Sequence, residues 1–394
     1  MDIGDSPEEA AFRAEARAWL EAYAPRRPDD APDSAPGGVP PDEADAVARA
    51  KAWQARLYDA GWAGITWPKE HGGRGGTPMQ KAIFDQELRG FAVSSGLFAV
   101  GLAMAGPTIM THGTEDQKQR FLGPMLRGDE VWCQLFSEPG AGSDLANLAT
   151  RAVRDGDRWV VNGQKVWTSS AHVSDWAILL ARTNPDVPKH KGITFFLVDM
   201  RTPGIDVRPL RQVTGVAHFN EVFLTDVEVP AANVVGPVDE GWRTAITTLM
   251  NERTFIGGTA DDVAGRLVAA ARARGRTGDP LVRQELAKAH TGQQLARYLG
   301  LRAQTALSQD RPLGPETSVL KLVGSVQRGR VDDLAMSILG AEGTLFDYAS
   351  ADESSWQQHF LFQWASRIGG GTEQVQRNII GERLLGLPRE PKPA

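Results

Sequence analysis

The succession of helix-like and strand-like hydrophobic patterns along the chain is the feature that constrains its fold most. Apolar residues recur at helical spacing up to about residue 130, and helical spacing returns after Gly236. Between these regions lie short alternating or β-branched runs bounded by turn residues. The pattern predicts an α+β protein that is mostly α, in which a compact antiparallel barrel or sandwich separates two helical parts. At 394 residues, the chain is long enough for two or three packed units.

Individual elements can be placed on this pattern. Helices are predicted over residues 7–20, 43–58, 79–89, 241–251, 259–274, 280–309, 318–339 and 374–385. A further helix is expected after Thr114, where TEDQ has the composition of an N-terminal cap. Residues 25–41 are rich in Pro, Asp and Gly and predict a loop. The Asn162-Gly163 pair predicts a hairpin turn, with Trp167, Thr168 and Ser169 on the strand that leaves it.

Composition argues against several classes of function. The net charge of -6 argues against a nucleic-acid partner or an anionic membrane surface. No apolar run reaches the roughly 18 residues that a membrane span needs, and the first residues do not resemble a secretory signal. Cys133 is the one cysteine, so no intrachain disulfide is possible, and a cytoplasmic location is expected. The seven histidines are scattered without metal-ligand spacing, and no metal is expected.

Two segments have the composition of a binding site. Residues 134–150, QLFSEPGAGSDLANLAT, combine glycines with hydroxyl side chains. On residue chemistry alone, a polar connection between strands is the favoured interpretation. In VNGQKVWTSSAHVSDW, the indole of Trp167 beside hydroxyls suits a flat heteroaromatic ring, although a buried structural tryptophan is the simpler interpretation. No GxGxxG segment follows a strand, so a flavin would need a cradle other than a Rossmann fold.

Seven segments together resemble the acyl-CoA dehydrogenase family, in family order and over nearly the whole chain. They are AGITWPKEHGGRGG, HGTEDQKQRFLGPMLRGD, FSEPGAGSDLANLAT, VNGQKVWTSSAH, FNEVFLTDVEVPAANVVG, ILGAEGT and GGGTEQVQRNIIGERLLGLPRE. The resemblance implies an N-terminal helical domain (1–130), a middle β-barrel-like domain (131–240) and a C-terminal four-helix bundle (241–394). It further implies FAD as cofactor, an acyl-CoA substrate, an electron-transfer flavoprotein or similar acceptor, and a homotetramer or dimer.

The resemblance also assigns site residues one at a time. The positions implied to contact FAD are Gln134, Phe136, Ser137, Trp167, Ser169, Arg274, Gly340, Gly343, Thr372 and Gln374, and Ser143 is implied near the CoA portion of the substrate. Arg274, Gly340 and Gly343 are expected to reach the FAD of a neighbouring subunit, since backbone N–H groups and an arginine suit a diphosphate. Thr277 and Ala341 depart from the family pattern on that side.

The catalytic base is the position where this chain departs most from the commonest family members. They carry a Glu directly before the Gly-Thr of the C-terminal turn, where this chain has Gly370, which can offer only its backbone N–H to the thioester carbonyl. A minority of the family places the base in a Glu-Arg pair on an earlier helix. That pair is Glu252-Arg253 here, so Glu252 is predicted as the base and Arg253 as the residue that tunes it. Glu373, in the turn itself, is the weaker alternative.

The predicted function is α,β-dehydrogenation of an acyl-CoA, with electrons passed to a flavoprotein carrier. Three alternatives stay open at this point: a dehydrogenase acting on carrier-protein thioesters, a flavin monooxygenase or oxidase on the same fold, and a subunit of a hetero-oligomer of the steroid side-chain type. Residues 91–107 are rich in small side chains and are expected to line part of the acyl pocket, with room for bulky groups. His112 and His218 are interpreted as structural.

Overall fold

The computed structural model describes residues 5–27, 44–93, 96–256, 263–309, 311, 314–346 and 355–389. These residues form two compact units. The larger comprises residues 13–26 and 44–252, and the smaller comprises residues 5–12, 27 and the described residues from 253 onward. The predicted loop at 25–41 lies largely outside the described residues, as do residues 257–262 at the start of a predicted helix.

Helices occupy the beginning and the end of the chain. In order they are α1 Pro7–Tyr23, α2 Ala44–Asp59, α3 Pro78–Leu88, α4 Gly106–His112, α5 Glu115–Arg127, α6 Gly241–Ile256, α7 Val263–Ala273, α8 Pro280–Ser308, α9 Glu316–Leu339, α10 Ser355–Ile368 and α11 Glu373–Ile379. The cap predicted at Thr114 is confirmed: its hydroxyl accepts from the Gln117 backbone N–H, and the Gln117 side chain accepts from the Thr114 N–H. A π-helical turn, Gly101–Ala105, runs directly into α4, and a second one, Ile380–Leu384, follows α11.

Seven strands form one sheet in the middle of the chain. They are β1 Trp132–Leu135, β2 Arg151–Asp155, β3 Arg158–Ser169, β4 Trp176–Arg182, β5 Ile193–Asp199, β6 Ile205–Leu210 and β7 Phe219–Pro230. The order is β1-β4-β2-β3-β7-β6, with β5 also paired to β4. β4 and β5 are buried along nearly their whole length, so both faces of this part of the sheet are covered. The α+β architecture predicted from the sequence is confirmed, but the sheet is mixed rather than antiparallel, because β1 and β2 each pair with β4 in parallel.

The hairpin predicted at Asn162-Gly163 is wrong, because β3 continues through both residues. A bulge falls there instead, between Val161 and Gly163 in the pairing with β7. A Cβ at Gly163 would lie 2.4 Å from Thr150 Oγ1, so this glycine serves close packing rather than a turn. The side chain of Asn162 accepts a hydrogen bond at its Oδ1 from the Asp226 backbone N–H at 2.9 Å.

The smaller unit has its own hydrophobic core, built from helices α7, α8 and α9. Leu267, Ala271, Val331, Ala335 and Ile338 are among its buried residues, and Trp356 of α10 packs against them. α10 had no sequence prediction, and its Trp, His, Phe and Ser residues have only moderate helix propensity. None of the described helices is long and apolar enough to cross a membrane.

Candidate functional site

A buried ion pair joins the two segments that sequence reasoning singled out. The side chain of Lys165 on β3 is fully buried, and its Nζ donates to Glu138 Oε1 at 2.8 Å and to the Phe136 carbonyl at 3.0 Å. Glu138 also accepts from the backbone N–H groups of Ala149, at 2.6 Å, and Thr150, at 2.9 Å. The pair therefore joins the segment that directly follows β1, the loop before β2 and the middle of β3.

The charges of this pair are set by opposing effects. Burial lowers the pKa of the Lys165 ammonium to about 8, against the raising effect of the Glu138 charge and hydrogen bond. Burial disfavours ionisation of Glu138 as well, but the charge of Lys165 and the hydrogen bonds to its carboxylate hold its pKa below the ordinary value. Both groups are therefore ionised near neutral pH, and each depends on the other for that state.

Trp167 is held where a flat ring could stack on it. Its indole is 60% exposed although it belongs to a strand, and its backbone φ of 62° lies in the left-handed region that side chains rarely adopt. The pairing of β3 with β7 is irregular between Lys165 and Thr168, which turns the indole outward while Thr168 stays buried. Ser169 follows, half-buried. An exposed indole beside a hydroxyl fits the ring system of a flavin.

Three further predicted contacts lie in β1 and directly after it, and the last of them, Ser137, is hydrogen-bonded to β3 beside Trp167. The Val166 backbone N–H donates to the Ser137 carbonyl at 2.9 Å, so Ser137 lies beside the residue that precedes Trp167. Phe136 is buried, whereas Gln134 and Ser137 are half-buried. These residues can line the edge of a flavin together. Ser143, predicted near the CoA portion, is exposed one residue before Asp144, which pairs with Lys189 at 2.7 Å.

In the smaller unit, the structure brings the predicted diphosphate residues together. Arg274 Nη2 lies 2.8 Å from Glu342 Oε2, inside the short helical turn Gly340–Thr344 that ends α9. Gly340 has a φ of 60° and open space where a Cβ would stand, and Gly343 lies in the same turn. A diphosphate here would find an arginine and glycine backbone side by side.

The glycine turn before α11 is held by a side chain from that helix. Gln376 Nε2 donates to the Gly370 carbonyl at 2.9 Å, and the φ angles of Gly370 and Gly371 are 66° and 93°. Both conformations favour glycine. Thr372 caps α11 by accepting from the Val375 N–H, and Gln374 is exposed in the first turn.

The one carboxylate in this turn is already committed to an arginine. Glu373 Oε1 accepts from Arg367 Nε, and this hydrogen bond holds the pKa of Glu373 below its usual value. A carboxylate so stabilised in its charged form is a weak proton acceptor. The geometry of the turn therefore argues against Glu373 as a base.

Glu252 lies on α6, one turn beyond two fully buried positions. Ala245 and Thr248 precede it by seven and four residues, and both have no exposed surface. In a helix these three positions share one face, so Glu252 continues the buried face and is itself half-buried. The side chain of Arg253, predicted to tune it, lies outside the described residues.

Lys165, Glu138 and the threonines of α6 were missed by the sequence reasoning. A signal for Lys165 existed, since it shares strand parity with the buried Trp159 and Val161. A lysine at a core-facing position needs an acidic partner. Within the described ranges, no group of three His, Cys, Asp or Glu side chains could hold a metal ion.

Comparisons with known proteins cover the chain from end to end. The N-terminal, middle and C-terminal domain models of acyl-CoA dehydrogenase match residues 6–129, 133–227 and 239–385. Acyl-CoA dehydrogenase IpdE1 of Mycobacterium tuberculosis (strain ATCC 25618 / H37Rv) is 40% identical over 393 residues, covering 97% of this chain and 98% of that protein.

Two further similarities add to this. Acyl-CoA dehydrogenase FadE34 of the same organism is 43% identical over 366 residues, 89% of this chain, which spans 49% of FadE34. The solved structure described as "Tcur3481-Tcur3483 steroid ACAD" has a TM-score of 0.82 at 32% identity, covering 99% of this chain and 100% of that chain.

Proposed function

Because the chain belongs to the acyl-CoA dehydrogenase family, and is therefore an FAD-dependent oxidoreductase acting on acyl-CoA thioesters, we propose that Glu252 removes the α proton of its substrate. The observation that carries the proposal is the position of Glu252 on the buried face of α6. Two further observations support it. Gly370 has no side chain at the usual place of the base, and Glu373 is held by Arg367.

Different residues of this chain have different roles in the proposed reaction. The carboxylate of Glu252 accepts the proton from Cα of the acyl group. This proton is too weakly acidic to leave without a base. The Gly370 backbone N–H donates to the thioester oxygen, where negative charge develops. Bound FAD supplies the hydride acceptor for Cβ. We propose that Trp167, Ser169, Phe136, Ser137 and Gln134 hold its ring system, and that Ser143 lies near the CoA.

The proposed diphosphate contacts lie in the smaller unit. Arg274 exchanges its partner Glu342 for a phosphate oxygen, and Gly340 and Gly343 offer backbone N–H groups. Thr372 and Gln374 lie above the flavin in this proposal, and Arg253 tunes Glu252. The division into domains at 130/131 and 240/241 also stays a prediction.

We propose an acyl group with a bulky ring system as the substrate class, and a flavoprotein as the electron acceptor. A structure similar over 99% of this chain is described as a "steroid ACAD". The small side chains of Ala99 and Ala103, both half-buried, are compatible with a wide pocket. Carrier-protein thioesters remain the alternative substrate form.

We further propose that the active assembly contains a second, related chain. The description of the similar steroid enzyme names two components, and another similar structure is described as the ChsE4-ChsE5 complex from Mycobacterium tuberculosis. Thr277 and Ala341 support this reading, because they depart from the family pattern on the side where a neighbouring subunit's FAD would bind. A homotetramer or dimer is the alternative.

The test is the visible spectrum of the purified protein, followed anaerobically during titration with short, branched and steroid-like acyl-CoA thioesters. With the related chain co-expressed, we expect a yellow complex whose flavin is bleached by a ring-containing thioester. Glu252→Gln should keep the colour and lose the bleaching. Glu373→Gln is the matched control and should bleach like the parent.

Other outcomes assign the alternatives. Bleaching that survives in Glu252→Gln and disappears in Glu373→Gln would place the base in the glycine turn. A yellow protein that no CoA thioester bleaches favours the carrier-protein or monooxygenase alternative. A colourless protein that turns yellow when a related chain is co-expressed supports the hetero-oligomer, whereas a yellow and active chain on its own contradicts it.

A further inference from the structure

Two hydrogen bonds tie the helix that carries Glu252 to the helix that follows the π-helical turn. Thr248 Oγ1 on α6 lies 2.8 Å from Thr108 Oγ1 on α4. One position earlier on α6, Thr247 Oγ1 lies 2.8 Å from His112 Nε2, one turn further along α4. Both threonines of the first bond have no exposed surface.

The two buried hydroxyls have a consistent direction of donation. Thr108 Oγ1 lies 2.7 Å from the carbonyl of Met104, in the π-helical turn, and is the donor in that bond. Its lone pairs then accept the proton of Thr248, whose alternative acceptor, the Thr244 carbonyl, is farther away at 3.4 Å. Each hydroxyl proton therefore has one short acceptor, as buried polar groups require.

The anchor for these bonds is held in place by packing. A Cβ on Gly106, directly before Pro107 and Thr108, would lie 2.4 Å from two ring atoms of Trp67. The indole of Trp67 is buried in the same core as Ala105 and Ile109. α4 has no room to shift toward that indole, so Thr108 is a fixed point from which α6 can be held.

Glu252 follows Thr248 by four residues, so their side chains are neighbours on one face of α6. We propose that the Thr108–Thr248 hydrogen bond is a positioning device that sets the last turn of α6, and with it the carboxylate of Glu252, for removal of the α proton. This inference rests on the proposed role of Glu252 as the base. A proton acceptor displaced by about 1 Å can lose roughly 100-fold in rate, which makes such a device worthwhile.

The experiment compares isosteric variants in the holoenzyme. Thr248→Val and Thr108→Val remove the same hydrogen bond from opposite helices. The matched control is Thr111→Val. Its hydroxyl makes the same kind of bond to the carbonyl four residues earlier, Pro107 at 2.8 Å, but it is exposed and makes no hydrogen bond to the described side chains of α6. Thr248→Ser retains the hydroxyl.

We expect both variants of the bond to lower the rate of flavin reduction by roughly 10- to 100-fold, with FAD content and the substrate's half-saturating concentration within about twofold of the parent. The double variant should be no slower than either single one, because one bond is lost. The isotope effect with Cα-deuterated substrate should rise, and Thr248→Ser should recover most of the rate. Hydrogen exchange of peptides covering residues 244–252 should quicken in Thr248→Val and Thr108→Val only.

Two results overturn the inference separately. If Thr248→Val and Thr108→Val reduce flavin as fast as Thr111→Val, or slow only through lost FAD, the bond has no positioning role even though Glu252→Gln is inactive. If Glu252→Gln itself reduces flavin normally, the proposed base is wrong and the inference falls with it, whatever hydrogen exchange reports.

Discussion

Two residues of β3, Lys165 and Gly163, determine how the middle sheet packs around them. Lys165 is completely enclosed, so its charge must be neutralised where it lies, and Glu138 does so within 2.8 Å. Gly163, two residues earlier on β3, leaves the space that the Thr150 side chain occupies. Both residues lie on β3 within four positions of the exposed indole of Trp167, so the geometry of the proposed flavin contact depends on them.

Removing one partner of the buried pair should be costly, and removing both much less so. Lys165→Met leaves a buried carboxylate without its cation and should destabilise the protein by about 3–5 kcal/mol. Glu138→Gln should also destabilise it, whereas the double variant should lose less than the sum of the two. The measurement is a double-mutant cycle of urea unfolding. Simple additivity would show that the two charges are independent, against the structure.

Gly163→Ala should destabilise the protein by about 1–3 kcal/mol, because its Cβ would meet Thr150 Oγ1 at 2.4 Å and Thr150 Cβ at 2.7 Å. Gly123→Ala on α5 is the control, since nothing lies within 4 Å of its Cβ, and it should be neutral or stabilising by up to about 1 kcal/mol. Thermal unfolding measures both. An unchanged midpoint for Gly163→Ala would mean that β2 and β3 can move apart freely.

At the scale of elements, helices α7, α9 and α10 enclose a charged cluster inside the smaller unit. Asp332 is completely buried, with Arg328 Nε 3.4 Å from its Oδ2. His359 contacts the Arg328 guanidinium, and Arg266 and Asp333 also act on the Asp332 charge. Burial outweighs the attraction of Arg328 and raises the pKa of Asp332 to about 7. The neutral form of this side chain therefore suits the folded state better than the charged form.

Asp332→Asn should stabilise the protein at pH 8, by roughly 1–4 kcal/mol, because the buried charge is removed. The folded-state pKa of Asp332 is raised, so its favourable contribution is present at low pH and lost as pH rises through about 7. The advantage of Asn should accordingly shrink below pH 7 and vanish near pH 4. Urea unfolding from pH 4 to 8 measures it. The neighbouring Asp333→Asn, at an exposed position, should change stability by less than about 0.5 kcal/mol. A destabilised Asp332→Asn at pH 8 would contradict the raised pKa.

Across the whole molecule, buried histidines should make the fold sensitive to acid. Burial lowers the pKa of His218 to about 4 and that of His359 to about 3, with nearby positive groups adding to both shifts. Burial and Arg243 lower the pKa of His112 as well. Burial therefore favours the neutral form of these side chains in the folded protein.

The sign of the effect follows from these lowered values. Unfolded histidines bind protons below about pH 6.5, so the contribution of each residue is present above that pH and is lost as pH falls toward the folded-state pKa. The urea midpoint should therefore decline between about pH 7 and about pH 4.5, although Asp332 acts in the opposite direction. His218→Gln should reduce the loss of unfolding free energy between these pH values by roughly 1–3 kcal/mol. His290→Gln, at an exposed position, should leave that loss unchanged. An unaltered slope in His218→Gln would contradict the burial argument.

The sequence by itself determined the family, the cofactor class and the succession of helices and strands. Hydrophobic periodicity is a local property of the sequence, so it located α9 closely. The capping residues at Thr114 predicted the start of α5. The local signal failed where tertiary packing overrode it. Asn162-Gly163 has turn composition, yet the side chain of Thr150, directly before β2, makes glycine a packing requirement there. α10 was missed because its polar and aromatic residues become helical through burial against the bundle.

Only the tertiary structure decided how the site residues are held. Nothing in the spacing of residues 108 and 248, or of residues 138 and 165, pairs them, because partners far apart in sequence meet through the path of the chain. The sequence nominated Glu252 by the absence of a side chain at Gly370. The packing of α4 against Trp67, and of α6 against α4, gave that carboxylate a defined place within its unit. The sequence specifies which chemical groups the chain carries, whereas the packing of the fold decides where each group lies.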